Sequence, residues 1–280
     1  MCAEYKSVKS NPKLLFHFGV QYPTAPPQDD SYPLSLAPFI RNARRSDAPE
    51  CVAAGFGLIP SWAKDKKSAR HCYNARTETV ATKPSFRDAW RKAHFGIIPC
   101  EAFYEPNYES GKAVRWRISM ADGEPFGIAG IWEWWPGTGD GDLLSFSMLT
   151  INANEHPLMR RFHRPDDEKR SVVILEPAHY EDWLHTTPED APKFFGAFPA
   201  NRMAAEVDPR PVKVKPRCRF RRLLCCDSAR SNGLVSSNDA ASARRLVRVA
   251  KRRPIALGWP LLGHLVRRKA LRALQLERRT

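Results

Sequence analysis

A sheet-dominated chain with a few short helices is what this sequence predicts, on three observations. Apolar or alternating stretches of strand length recur at 95–98, 115–120, 126–132, 143–150 and 171–175. Ahead of residue 210, helical spacing is confined to two short segments, Ser85 to Ala93, where Phe86, Ala89, Trp90 and Ala93 recur on one face, and Pro177 to Leu184, an amphipathic stretch with a Trp. The 42% hydrophobic content over 280 residues suffices for a sizeable core in one large domain or two small ones.

Taken in order, Leu14 to Phe18 is a short apolar run, and 21–38 is rich in Pro, Asp and Ser, the composition of an irregular loop. Ala37 to Ile40 leads into a strand, and Arg41, Arg44 and Arg45 read as a solvated basic turn. In the segment 55–63, an apolar strand ends at Pro60 and delivers Trp62 to a loop. Trp62 with Ser61 before it and Lys64, Lys66 and Lys67 after it joins a stacking surface to phosphate-seeking charge, the pairing used by single-strand binders; a core-edge Trp beside solvated lysines fits equally well. Asn74 and Arg76 alternate, so a strand would turn both to one side, an orienting amide beside a planar guanidinium fork. The buried strand 95–98 leads to Pro99-Cys100-Glu101-Ala102-Phe103-Tyr104-Glu105-Pro106. Glu105 follows two aromatics, a setting that favours a general acid/base, whereas Glu101 reads as an exposed strand-end carboxylate. Trp132, Trp134 and Trp135 read as core and rim, His163 sits in a basic, proline-bounded loop with Arg164, and Phe194 to Phe198 closes the ordered part.

The net charge of +15 is unevenly placed. From Arg210 onward there are 20 basic and 3 acidic residues, a net of +17, which leaves 25 basic and 27 acidic residues in 1–209, a net of −2. The chain therefore divides into a domain at 1–209 and a basic, Arg-rich tail at 210–280, and the high pI says nothing of the domain's ligand. A helix at 261–276 is the tail's one periodic stretch. Seven cysteines at 2, 51, 72, 100, 218, 225 and 226, with no repeated C-x-x-C spacing, support neither a disulfide framework nor a zinc site. The N-terminus lacks the apolar stretch of a secretion signal and no run of about 18 apolar residues occurs, so a cytoplasmic setting with free thiols, no metal, no other cofactor and no membrane partner is expected.

Cys2 carries the distinctive chemistry. If Met1 is removed, Cys2 presents an α-amine and a thiol on adjacent carbons. The amine condenses with an aldehyde to an imine, and the thiol then closes a five-membered thiazolidine. The bland alternative is a second codon that happens to encode Cys.

Met1-Cys2, G-F-G-L-I-P-S-W-A, Y-N-A-R-T-E-T, I-P-C-E-A-F-Y-E, A-G-I-W-E and F-H-R-P-D-D-E-K-R-S-V-V-I-L, in this order, resemble the SOS-response-associated peptidase (SRAP) family over roughly Met1 to Ala200. The resemblance implies a compact α+β domain on a curved, barrel-like antiparallel sheet with peripheral helices. It also implies a monomer that captures abasic sites in single-stranded DNA as a thiazolidine crosslink and removes its own leading residue. Carried over, Cys2 is the nucleophile, Asn74 positions the amine, Glu105 is the acid/base and His163 assists ring opening or reversal. Arg76 and Arg164 meet the DNA backbone, and Trp62 with Ser61 and Lys64 stacks on or wedges beside flanking bases. The sequence departs from the family at Ala3-Glu4, where the usual start has Gly-Arg and the arginine helps hold DNA, and at the C-terminal strand, which is not visible. Two other classes of function stay open: a cysteine hydrolase using Cys2 and His163 on peptides, and a noncatalytic nucleic-acid binder acting through the basic tail.

Overall fold

A computed structural model describes residues 2–22, 30–137 and 141–210; the 261–276 helix, Cys218, Cys225, Cys226 and nearly all of the basic tail lie outside the described residues. In chain order the elements are β1 (Tyr5–Ser7), α1 (Asn11–Phe18), β2 (Asp30–Ser31), β3 (Leu36–Asn42), β4 (Pro49–Phe56), β5 (Asn74–Arg76), α2 (Arg87–Arg91), β6 (Phe95–Asn107), β7 (Val114–Met120), β8 (Phe126–Trp135), β9 (Leu143–Asn152), β10 (Arg170–Val172), β11 (Ile174–Leu175), α3 (Tyr180–His185) and β12 (Met203–Val207).

Five of these strands close on themselves: β8 pairs β9, β9 pairs β4, β4 pairs β3, β3 pairs β6, and β6 returns to β8. The barrel-like α+β fold expected from the resemblance is therefore present. Most pairings are antiparallel, but β4 and β5 both run parallel to β9, so the barrel is mixed. Neighbouring residues on one strand serve two different cores, as the alternation of side chains across a sheet requires. Phe39, Phe56, Phe103, Phe146 and Met148 fill the inner face. Ile40, Ile97, Ile131 and Leu149 face outward, where Leu14 of α1, Trp90 of α2 and Trp183 of α3 cover them. Burial on both faces explains why these strands read as apolar runs and not as strict alternation.

Several elements differ from the sequence reading. The run at 14–18 belongs to α1, which starts with Pro12 in its first turn and ends at Gly19 with φ 69°, a left-handed helix cap. The strand begun at Phe95 continues through Pro99 to Asn107; Pro99 keeps its carbonyl in play by accepting from Val8 N–H at 3.3 Å, beside a register shift between Lys6 and Ser7. The run 171–175 splits at Val173, whose N–H reaches Leu149 O at 2.9 Å while its own O accepts from Ala129 N–H at 2.8 Å, so the chain crosses from β9 to β8 there. The ordered part does not close at Phe198: β12 pairs antiparallel with β7 through five residues, from Met203 opposite Met120 to Val207 opposite Trp116. Arg41 is half-buried, stacking over Trp132 at 5.0 Å and pairing with Glu50 at 2.8 Å, while Arg44 and Arg45 are exposed as expected. Glu101 is partly covered and meets Lys6 at 3.2 Å and Lys13 at 3.5 Å.

Candidate functional site

Cys2, Asn74, Glu105 and His163 come from four separate stretches and are all buried. Cys2 lies just ahead of β1, which adds to β6 with Tyr5 opposite Phe103 and Lys6 opposite Ala102. This pairing brings the chain start alongside the part of β6 that carries Glu105. β5 is only three residues long, yet its parallel pairing to β9, Asn74 opposite Met148, fixes Asn74 beneath Cys2. Asn74 Nδ2 donates to Cys2 O at 2.7 Å. Since that acceptor demands the amide nitrogen, Asn74 Oδ1 faces the other way, buried and with no hydrogen-bond partner among the described residues.

His163 reaches the site by a different device. Its loop is stitched to the end of β6 by the Asn107–Phe162 bridge, by Asn107 Nδ2 donating to Arg161 O at 3.0 Å, and by His163 N–H donating to Pro106 O at 2.9 Å. The backbone of His163 has φ 67°, the left-handed region. The result is Nε2 of His163 at 3.1 Å from Glu105 Oε2, with Glu105 itself 3% exposed.

Electrostatics sort the roles. Burial pushes the Cys2 thiol far above its ordinary value, and the charge of Glu105 adds to the effect. The thiol is thus held neutral, with Sγ donating to Glu4 O at 3.4 Å. Burial likewise raises the phenol of Tyr73, and electrostatic interaction with Cys2 and Glu105 adds to the rise, which marks Tyr73 as a neighbour of both. Tyr73 sits in the Y-N-A-R string without standing out in it; only its packing against Phe56, at 5.9 Å between ring centroids, and its place ahead of β5 bring it in. In the 280-residue chain Cys2 still carries Met1, so its nitrogen is an amide and not the free amine.

The remaining candidates are peripheral. Trp62 is 59% exposed, Ser61 is partly covered and Lys64 is exposed, while Lys67 pairs with Asp65 at 3.2 Å. A groove of about 420 Å³ lies beside this loop, with Leu34, Leu36, Ile59 and Leu143 as its apolar floor and Lys66 and Lys67 at its rim. Arg76 is exposed and meets Glu168 at 2.8 Å; Glu168 in turn meets the buried Arg170 at 2.9 Å. Arg164 is exposed and hydrogen-bonds Tyr108, which raises its pKa. An open cavity of about 860 Å³ is lined by Tyr108, Arg160, Arg161, His163 and Lys169 together with Glu109 and acidic residues at 166–168, and it touches the buried cluster only at His163. The neighbours that sequence reasoning missed are Arg115 and Arg210, which turn to Glu4; nothing in sequence spacing links residues 4, 115 and 210. No group of three or more His, Cys, Asp or Glu side chains suited to a metal occurs among the described residues.

Comparison with known proteins identifies the family and the fold. The model of the SOS response associated peptidase (SRAP) family matches residues 1–214. Among curated relatives, the abasic site processing protein YoaM of Bacillus subtilis (strain 168) is 32% identical over 154 residues, 54% of this chain and 64% of YoaM. The abasic site processing protein YobE of the same organism is 36% identical over 137 residues, 48% of this chain and 58% of YobE. The chain thus spans a little under two thirds of the length of the curated relatives it matches. A crystal structure of a Bordetella bronchiseptica protein is 36% identical with a TM-score of 0.69, covering 74% of this chain and 99% of that one. A Bacteroides thetaiotaomicron protein at 23% identity and TM-score 0.64, covering 75% of this chain and 93% of that one, shares the fold. With the family's model matched from residue 1 to 214 and the barrel found in its solved relatives, the chain belongs to the SOS response associated peptidase family.

Proposed function

We propose that this protein captures abasic sites in single-stranded DNA as a covalent thiazolidine at Cys2, once Met1 has been removed by its own action or by processing. The observation that carries the reading is the convergence of Cys2, Asn74, Glu105 and His163, with contacts of 2.7 Å from Asn74 Nδ2 to Cys2 O and 3.1 Å between His163 Nε2 and Glu105 Oε2. An abasic deoxyribose opens to an aldehyde. The α-amine of Cys2 adds to that carbon, and loss of one water gives the imine, with Glu105 delivering the proton to the departing hydroxyl. The thiol then adds to the same carbon and its proton passes by way of Glu105 to the nitrogen, so amine, thiol and aldehyde become one thiazolidine and one water. A thiol held neutral by burial favours this order, amine first and sulfur second. The unpartnered Oδ1 of Asn74 is the acceptor available to the freed amine, and His163 supplies the proton for sugar-ring opening. Arg76 and Arg164 hold the DNA backbone, and Trp62, with Ser61 and Lys64, takes a flanking base.

The curated relatives named as abasic site processing proteins support the substrate class. A cysteine hydrolase would need His163 as the partner of Cys2, yet the close contact of its Nε2 is with Glu105, which favours capture. The test is to incubate purified protein with abasic single-stranded DNA and look for an adduct that survives denaturation. Cys2→Ala should abolish it and Glu105→Gln should slow it by about 10²-fold, within the range of general acid–base contributions. An adduct indifferent to Cys2→Ala, or none with the wild type, overturns the reading.

A further inference from the structure

Glu4 stands two residues from Cys2, where the SRAP family's usual start has an arginine, and its surroundings are built around a carboxylate. Oε1 accepts from Arg115 Nη2 at 2.7 Å and from the Tyr32 hydroxyl at 2.8 Å. Oε2 accepts from Arg210 Nη2 at 2.6 Å and from Arg115 Nε at 3.3 Å. Arg115 is in turn locked: its guanidinium lies 3.5 Å from the centroid of the Tyr104 ring, and its Nη1 reaches Asp208 O at 2.8 Å and Oδ2 at 3.0 Å. The backbone joins the same knot, because Glu4 O accepts from Cys2 Sγ at 3.4 Å and from Tyr104 N–H at 3.0 Å. Tyr104 precedes Glu105 on β6, and β7 places Arg115 opposite Pro106 and Trp116 opposite Glu105. A carboxylate gripped in bidentate fashion by one arginine and capped by a second is a strong charge-assisted anchor.

We infer that Glu4 is a positioning residue for Cys2: its carboxylate, clamped by Arg115, Arg210 and Tyr32, sets the start of the chain against β6 and β7 so that Cys2 faces Glu105 and Asn74. Glu4 therefore does not present a solvated negative charge to DNA. Its charge and that of Asp208 are balanced by Arg115 and Arg210, and it serves the site through geometry. The chain start has only three strand residues in β1, and ahead of them Cys2 is held by burial, by Asn74 Nδ2 on its O and by its Sγ on Glu4 O, so the Glu4 carboxylate is the charged anchor of this stretch. The kinetic half of this inference rests on the capture reading above; the positional half does not.

The experiment uses the full chain with Glu4→Gln, Glu4→Asp and, as a second handle if Glu4→Gln folds poorly, Arg115→Lys, which keeps the charge and loses the bidentate fork. In the first arm, without DNA, iodoacetamide labelling of each cysteine is followed by peptide mass, with Cys51, Cys72 and Cys100, all buried, as internal references. Glu4→Gln should label Cys2 about tenfold faster or more, the scale set by losing charge-assisted hydrogen bonds, with the three references unchanged and Glu4→Asp in between. An unchanged Cys2 rate, or an equal rise at all four cysteines, overturns the inference. In the second arm, single-turnover adduct formation on abasic single-stranded DNA should show a lower maximal rate in Glu4→Gln at an unchanged half-saturating DNA concentration. A lower half-saturating concentration at unchanged maximal rate would mean that Glu4 acts on DNA as a repelling charge, and would overturn it. If the wild type forms no adduct, the capture reading fails while the labelling arm still decides the role of Glu4.

Discussion

His163 at φ 67° occupies a backbone region that costs an L-residue outside glycine about 1–2 kcal/mol. It is held there by its N–H on Pro106 O and by the Asn107–Phe162 bridge, so the fold and not the side chain sets the conformation. What the strain gains is a direction: the ring turns inward to Glu105 while Arg164, next in sequence, turns outward. Histidine tolerates this region better than most residues, asparagine better still, and β-branched residues worst. His163→Asn should therefore keep folding stability close to the wild type, whereas His163→Val should lose about 1–2 kcal/mol more, read from denaturant midpoints. Both should impair adduct formation, which separates the backbone requirement from the proton-carrying one.

Among the elements, the closure of β6 onto β3 brings two backbones close together. Only Ile40 and Ile97 are in register across that seam, and Gly96 sits beside it. A Cβ on Gly96 would lie 2.2 Å from Phe39 Cζ and 2.6 Å from Ile40 O, so glycine is needed for close backbone approach and not for any unusual dihedral. Gly96→Ala should destabilise by about 1–3 kcal/mol, the usual penalty for overpacking a core, measured as a shift in denaturant midpoint at constant slope. The same seam explains the length of β6. With β3, β8, β1 and β7 all paired along its 13 residues, Pro99 can sit inside it because other strands hold the ladder on either side. The splitting of 170–175 into β10 and β11 has the same origin, one short run shared by two staves at Val173.

For the whole molecule, carboxylates hold separated segments together. Glu4 links the chain start to β7 and Arg210, while Glu78 and Glu168 both bind Arg170, which is 2% exposed and also reaches Thr150 O at 2.6 Å. Hydrogen bonds from arginines hold Glu4 and Glu78 below the usual glutamate value against the opposing effect of burial; in Glu168 hydrogen bonds from Asn152 and Arg170 do the same. A depressed folded-state pKa stabilises above the unfolded value and is lost as pH falls through the folded one. Thermal stability should accordingly hold near neutrality and decline below about pH 4, and the gap between the wild type and Glu4→Gln should narrow over that interval, measured by melting curves at stepped pH. The sequence by itself determined the strands at 115–120, 126–132 and 143–150, the two outer helices near Trp90 and Trp183, and the residue types at 2, 74, 105 and 163, because apolar periodicity and unusual functional-group pairs are local properties of the chain. Phe198 was a misleading end point, since the strand 203–207 gains its stability from β7 and carries no strong alternation of its own. What only the tertiary structure decided was which distant residues meet: that His163 turns to Glu105, that Asn74 turns to Cys2, and that Glu4 turns to Arg115 and Arg210. Those pairings are set by strand register and by loops stitched to β6, and register depends on the closure of the barrel, a long-range condition that no single stretch of sequence contains.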